Sequence, residues 1–115
     1  MEQDTKERFL QAGIDVDDAM KRLMNNEALF LRLLGKFAEN DAMEKLRGAI
    51  ASGDSEAALL HSHTLKGVCG NLSMTELYAL FSEQVALYRA DSASEADALM
   101  PAIEAAYRKV LDGIR

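Results

Sequence analysis

The run His61-Ser62-His63-Thr64-Leu65-Lys66-Gly67-Val68-Cys69-Gly70-Asn71-Leu72 lies in a proline-free window that opens near Asp54 and Ser55. On a helical wheel stepped at about 100° per residue, Ala58, Ser62, Leu65, Cys69 and Leu72 fall together, opposite His63. This set is small or apolar and reads as a core face. His63, Lys66, Gly67 and Gly70 share the other side within an arc of roughly 100°. Glu56 and Leu59 join them one or two turns earlier, whereas His61 projects nearer the core side. The spacing predicts one helix over residues 55–71, with an imidazole, an ammonium and two glycines on its outward face.

The glycines need a reason, because a helix-interior glycine costs about 1 kcal/mol relative to alanine. Gly67 stands one turn after His63 and Gly70 two turns after it. Residues without side chains at those places let a second molecule approach the imidazole closely. Lys66 places a positive charge beside any anion that collects at His63. Singly, each feature has an ordinary reading: a surface histidine, a solvated lysine, a glycine loosening a helix end. Their joint arrangement points to a site.

Outward from this helix, the chain reads as further helices. Residues 1–12 form a short leading helix that Gly13 ends. Asp15 can cap a second, with Val16, Ala19, Met20 and Leu23 along it. Asn25-Asn26 breaks that element. Leu29, Phe30, Leu33, Leu34 and Phe37 then recur at helical spacing. Met43, Leu46, Ala49 and Ile50 continue the pattern to about residue 51, with Asn40-Asp41 as a possible boundary. Ser52-Gly53-Asp54 is a turn. After the histidine helix, Ser73-Met74-Thr75-Glu76 matches a capping box. The helix it opens presents Leu77, Leu80, Phe81, Gln84 and Tyr88, so Gln84 lies on an inward stripe, where it can pair with His61. Asp91-Ser92-Ala93-Ser94 is the next break. Ser94 with Asp97 suggests a cap for a last helix carrying Leu99, Ile103, Ala106, Val110 and Leu111. Pro101 falls in its second turn unless the helix starts later.

Composition bounds the fold and its partners. Nothing in 115 residues suggests a second domain, so residues 1–115 are expected to bury one core. Aromatic residues are only 6% and Trp is absent, so aliphatic residues, Ala and Met must fill that core. No run of alternating β-branched residues suggests a sheet. A net charge of −6 argues against nucleic acid, which needs a basic stripe. No apolar segment is long enough for a membrane span, and Met1-Glu2-Gln3-Asp4 lacks the features of a signal peptide. One cysteine cannot form an internal disulfide, and Cys69 on the core face reads as a packed apolar residue. A reduced, cytoplasmic setting is expected, as is a free-standing protein, since Met1 stands just before the first helix. Short connections between amphipathic helices imply antiparallel neighbours. The expected fold is therefore all-α: an antiparallel up-and-down four-helix bundle, with one or two short N-terminal helices as a lid. Its core helices are placed at about 27–51, 55–71, 74–90 and 95–112.

The run His63-Thr64-Leu65-Lys66-Gly67-Val68-Cys69-Gly70-Asn71-Leu72 resembles the signature of histidine-containing phosphotransfer (HPt) domains, His-x-x-Lys-Gly within a longer His-Thr-Leu-Lys-Gly-x-x-Gly-Asn. Gly13-Ile14-Asp15 with Ala19 and Leu23 is similar to the usual HPt opening, as is Phe30-Leu31-Arg32-Leu33-Leu34 with Phe37. Cys69 stands where a small residue is common, and Ser73-Met74 where glycine and alanine are common. Both departures fall away from the histidine. The resemblance implies the same bundle fold. It also implies that His63 carries a phosphoryl group, taken from a receiver-domain aspartate and passed to another. Neutral imidazole suits that step, being a nucleophile near pH 7 with an unperturbed pKa of about 6.5. Lys66 would offset phosphate charge, Gly67 and Gly70 would admit the partner, and Leu59 would touch the partner's helix. Some HPt domains bond the active histidine with a glutamine near the place of Gln84.

The resemblance places Mg²⁺ and the aspartate on the partner, so neither a metal site nor a cofactor is expected in this chain. No Walker loop or ATP-lid glycine box is present, so the chain is expected to be a phosphoryl carrier rather than a kinase. The implied partners are response-regulator receiver domains and a hybrid histidine kinase, with no nucleic acid and no membrane. Two rival readings stand beside this one. One is a never-phosphorylated helical module that docks receiver domains, against which the intact Lys66-Gly67 pair argues. The other is a metal-dependent bundle enzyme using His61 and His63. Those two project about 160° apart on one helix, and no Glu-x-x-His pair accompanies them.

Overall fold

The computed structural model describes residues 1–115, which form eight helices and no strand. They are α1 (Gln3–Gln11), α2 (Val16–Arg22), α3 (Glu27–Glu39), α4 (Ala42–Ala51), α5 (Ser55–Asn71), α6 (Thr75–Arg89), α7 (Ala93–Asp97) and α8 (Met100–Ile114). No helix is long and apolar enough to cross a membrane. Side chains cap three helix starts, the one expected at Asp15 among them. Asp15 accepts from the Asp18 N–H, Asn26 from Leu29 and Asp54 from Ala57, each satisfying a backbone donor that the first turn leaves free. Gly13 ends α1 in the left-handed region at φ 95°.

Three boundaries differ from the sequence expectation. The core helix placed at 27–51 is two helices, divided at the possible boundary Asn40-Asp41, because Asn40 is extended (φ −68°, ψ 136°) and its side chain accepts from the Ala42 N–H at 2.7 Å. The last segment also divides. A five-residue α7 stops at Asp97, and α8 starts at Met100 with Pro101 in its first turn, where a missing N–H costs nothing. The third is the expected capping box. Met74, not Ser73, occupies the N-cap of α6 and offers it no side-chain acceptor. Ser73 is left-handed (φ 54°) and donates its hydroxyl to Asp18 Oδ2 at 2.6 Å, while Glu76 faces Lys109 of α8.

The predicted core face of α5 is buried throughout: Ala58, Ser62, Leu65, Cys69 and Leu72 are each at most 2% exposed. The one hydroxyl among them, on Ser62, donates to the Leu59 carbonyl. α5 packs chiefly on α4 and α6, and α8 packs on α6, α1 and α3. Phe30, Phe37 and Phe81 sit in one apolar cluster with aliphatic residues and with Met43 and Met74. Edge-to-face contacts join Phe9 to Phe30 and Phe37 to Tyr107. The N-terminal pair is stitched to the turn after α5. The Asp15 N–H donates to Ser73 O at 2.9 Å, and Ile14 bridges Met74. This stitching brings α2 to the outward side of α5.

α1 reaches α8 through Gly113, which is buried. Arg8 Nε donates to Gly113 O at 2.8 Å, and a Cβ on Gly113 would lie 2.3 Å from Ala12 Cβ. Gly113→Ala therefore forces α1 and α8 apart and is expected to destabilise by about 1–2 kcal/mol. Gly35→Ala in α3, whose Cβ would enter open space, is expected to stabilise by up to about 1 kcal/mol. Denaturant unfolding of the two variants checks the opposite signs.

Candidate functional site

His63 is the ninth of the seventeen residues of α5, fully helical and exposed. Two depressions meet at its ring. One, of about 370 Å³, lies between α2, α5 and α6 and is bordered by Asp18, Arg22, Lys66, Gly67, Gly70 and Tyr78. The other is more open and runs toward the start of α5. Asp54, Glu56, Leu59, Leu60 and Arg89 border it. His61 borders neither and is half-buried, so one histidine stands at the junction.

Lys66 and Gly67 lie where the wheel places them. The Lys66 Nζ sits 6.0 Å from the centroid of the Tyr78 ring, a cation–π contact that leans the ammonium along the first depression. A Cβ on Gly67 would meet nothing within 4 Å, so the surface beside His63 is open there. Gly70 behaves differently from the expectation. Its missing side chain admits Tyr78 of the same chain, because a Cβ there would lie 3.1 Å from the Tyr78 ring. The glycine thus seats the ring that holds Lys66.

One further expectation is corrected, and the place of Leu59 is refined. Gln84 is fully buried and reaches neither histidine. Its Nε2 donates to Ala96 O at 3.2 Å and lies 3.3 Å from Met100 Sδ. The break between α7 and α8 turns those groups toward α6, and Gln84 faces them. Leu59 is half-buried and packs against the core. The exposed apolar residue beside His63 is Leu60, 61% accessible. Leu60 stands three residues before His63, a spacing that puts it on the same face, so the wheel held this signal. Arg22, Tyr78 and Arg89 come from other helices, and no local pattern announces them.

Asp18 and Arg22 form an i,i+4 pair, with Nε donating to Oδ2 at 2.9 Å. The Ser73 hydroxyl and then the Arg22 guanidinium hold the Asp18 carboxyl below the usual carboxylate range. Burial pushes the Cys69 thiol, on the inner side of α5, up to about 12. The thiol therefore stays protonated and unreactive. Native protein is expected to resist a thiol-alkylating reagent at neutral pH and to react fully once unfolded, which mass spectrometry reads directly. The structure has no cluster of three or more His, Cys, Asp or Glu side chains able to hold a metal ion.

Fold and site together define an all-helical protein with one exposed histidine at a lysine- and glycine-flanked position. The Hpt domain family model matches residues 32–113, and the chain belongs to that family. No curated protein and no solved structure matches the chain. Hpt domains serve histidine phosphotransfer in phosphorelays, as carriers rather than kinases, and work with receiver domains and kinases. The match begins within α3, so α1 and α2 lie outside it.

Proposed function

We propose that this protein is a phosphorelay carrier in which His63 accepts a phosphoryl group from a receiver-domain aspartate and passes it to the aspartate of another receiver. The supporting observation is the exposed imidazole one turn before Lys66 and Gly67, with open space over Gly67. In the accepting step the lone pair of Nε2 attacks phosphorus. The bond from phosphorus to the aspartyl oxygen breaks, and the carboxylate leaves with its electron pair. Nδ1 retains its hydrogen, which the ring then sheds to water. The second transfer reverses these events on a new carboxylate. Lys66 lowers the cost of gathering phosphoryl charge. The rest of the work is alignment, which in a docked pair replaces a bimolecular encounter.

In this reading the whole chain, 1–115, acts as one unit. Its long helices form an antiparallel up-and-down four-helix bundle in which α3 with α4 makes one leg and α5, α6 and α8 make the others. The donor is a receiver of a hybrid histidine kinase, and the setting is cytoplasmic, without membrane or nucleic acid. No metal or cofactor resides in the chain. Leu60, the more exposed of the two, contacts the partner beside Leu59. The test is incubation with ³²P-labelled receiver domains from a broad panel. Label arriving on this chain, acid-labile and alkali-stable as a phosphoramidate is, supports the reading. Receivers that bind but never transfer label would make the chain a docking module instead.

A further inference from the structure

The two depressions beside His63 differ in charge. Toward the start of α5 stand two carboxylates, Asp54 and Glu56, against one cation, Arg89. Toward α2 and α6 stand two cations, Lys66 and Arg22, against one carboxylate, Asp18. That carboxylate already accepts from the Ser73 hydroxyl at 2.6 Å and from Arg22 at 2.9 Å. Tyr78 offers its ring face to Lys66, and the Cys69 thiol, which also borders this depression, is buried and stays protonated. A dianionic group on the imidazole is therefore drawn to the α2 side and repelled from the other.

We propose that Arg22 is a second phosphoryl-binding residue, held in reserve by Asp18 and transferred to the phosphoryl group when His63 is modified. The assignment rests on His63 being the carrier. Three observations carry it. Arg22 borders the same depression as His63 and Lys66. Its side chain is 56% accessible, so it can swing without unpacking the core. The Ser73 hydroxyl remains on Asp18 after Arg22 leaves, so the carboxylate is not stranded. A guanidinium suits the task, because its planar donors match phosphate oxygens in pairs. Arg22 stands on α2, outside the matched residues 32–113.

The experiment uses the full chain carrying His61→Gln, which leaves His63 as the sole imidazole. Phosphoramidate serves as donor: its P–N bond breaks, ammonia leaves and the new P–N bond forms on His63. The ³¹P resonance is then titrated with pH. Removing a unit cation a few ångströms from the phosphoryl group is expected to raise its pKa by about half a unit in a water-like dielectric. Arg22→Gln should show that rise, Arg22→Lys should bring the pKa most of the way back to the parent value, and the Arg22 side-chain ¹⁵N signal should move on phosphorylation. An identical phosphoryl pKa in the parent and in Arg22→Gln, with an unmoved ¹⁵N signal, would overturn the assignment and leave the carrier reading standing. A parent protein that gains no ³¹P resonance at all would refute both together. A merely structural role for Arg22 would shift thermal unfolding while leaving the phosphoryl pKa alone.

Discussion

His63→Gln loses all phosphoryl label while folding as the parent does. The side chain at 63 is exposed and makes no hydrogen bond within the chain, so its replacement removes no packing. Glutamine is a good helix former, and surface changes of this kind stay within about 0.5 kcal/mol. What disappears is the nucleophile. An amide nitrogen is conjugated with its carbonyl and offers no lone pair to phosphorus. The expected fall in transfer is to background, roughly a thousandfold or more, comparable to the loss of the central nucleophile in other group-transfer sites. Receiver binding, followed separately by fluorescence anisotropy, should persist. His61→Gln is the matched control. His61 borders neither depression at His63, so label should still arrive. A folded His61→Gln protein that fails to accept label from receivers, beside a competent His63→Gln, would place the carrier at the wrong histidine.

How far the sequence reaches depends on how many helices a feature needs. The buried face of α5 requires only one. Ala58, Ser62, Leu65, Cys69 and Leu72 repeat at helical spacing, and all five are buried as that spacing demands. The exposure of His63 follows from the same wheel. Caps at Asp15, Asn26 and Asp54 are equally local. Features that need a second helix are not legible in one. Gly70 looked like a gap for a partner because nothing in its own helix reveals that Tyr78 of α6 fills it. Gln84 was correctly placed inside, yet which neighbour it meets depends on the break between α7 and α8. The Ser73–Glu76 capping motif is present in the chain, but a carboxylate from α2, 55 residues away, takes the Ser73 hydroxyl. Asn40 shows the limit of periodicity itself. Apolar spacing continues through 27–51, while one side chain binding the Ala42 N–H interrupts the backbone.

Gly67→Leu separates docking from chemistry, because its effects on stability and on transfer have opposite signs. Gly67 is in the interior of α5, and a Cβ there enters open space. Leucine is a better helix former than glycine by about 0.8 kcal/mol, so the unfolding midpoint should rise. The same side chain stands one turn from His63, where the partner must approach. Displacing the incoming phosphoryl donor by about 1 Å costs on the order of a hundredfold in an aligned transfer. Transfer from a receiver should fall by about that much, while phosphorylation by phosphoramidate, which needs no docked surface, should be nearly unchanged. Gly70→Leu should behave otherwise. Its Cβ meets the Tyr78 ring at 3.1 Å, so the ring must turn away and Lys66 loses its support. Stability should gain little, and both donors should suffer modestly. Gly67→Leu that is more stable and still accepts label from a receiver at the parent rate would show that the partner does not cross α5 at Gly67. The approach would then lie over Leu60, on the opposite side of the imidazole.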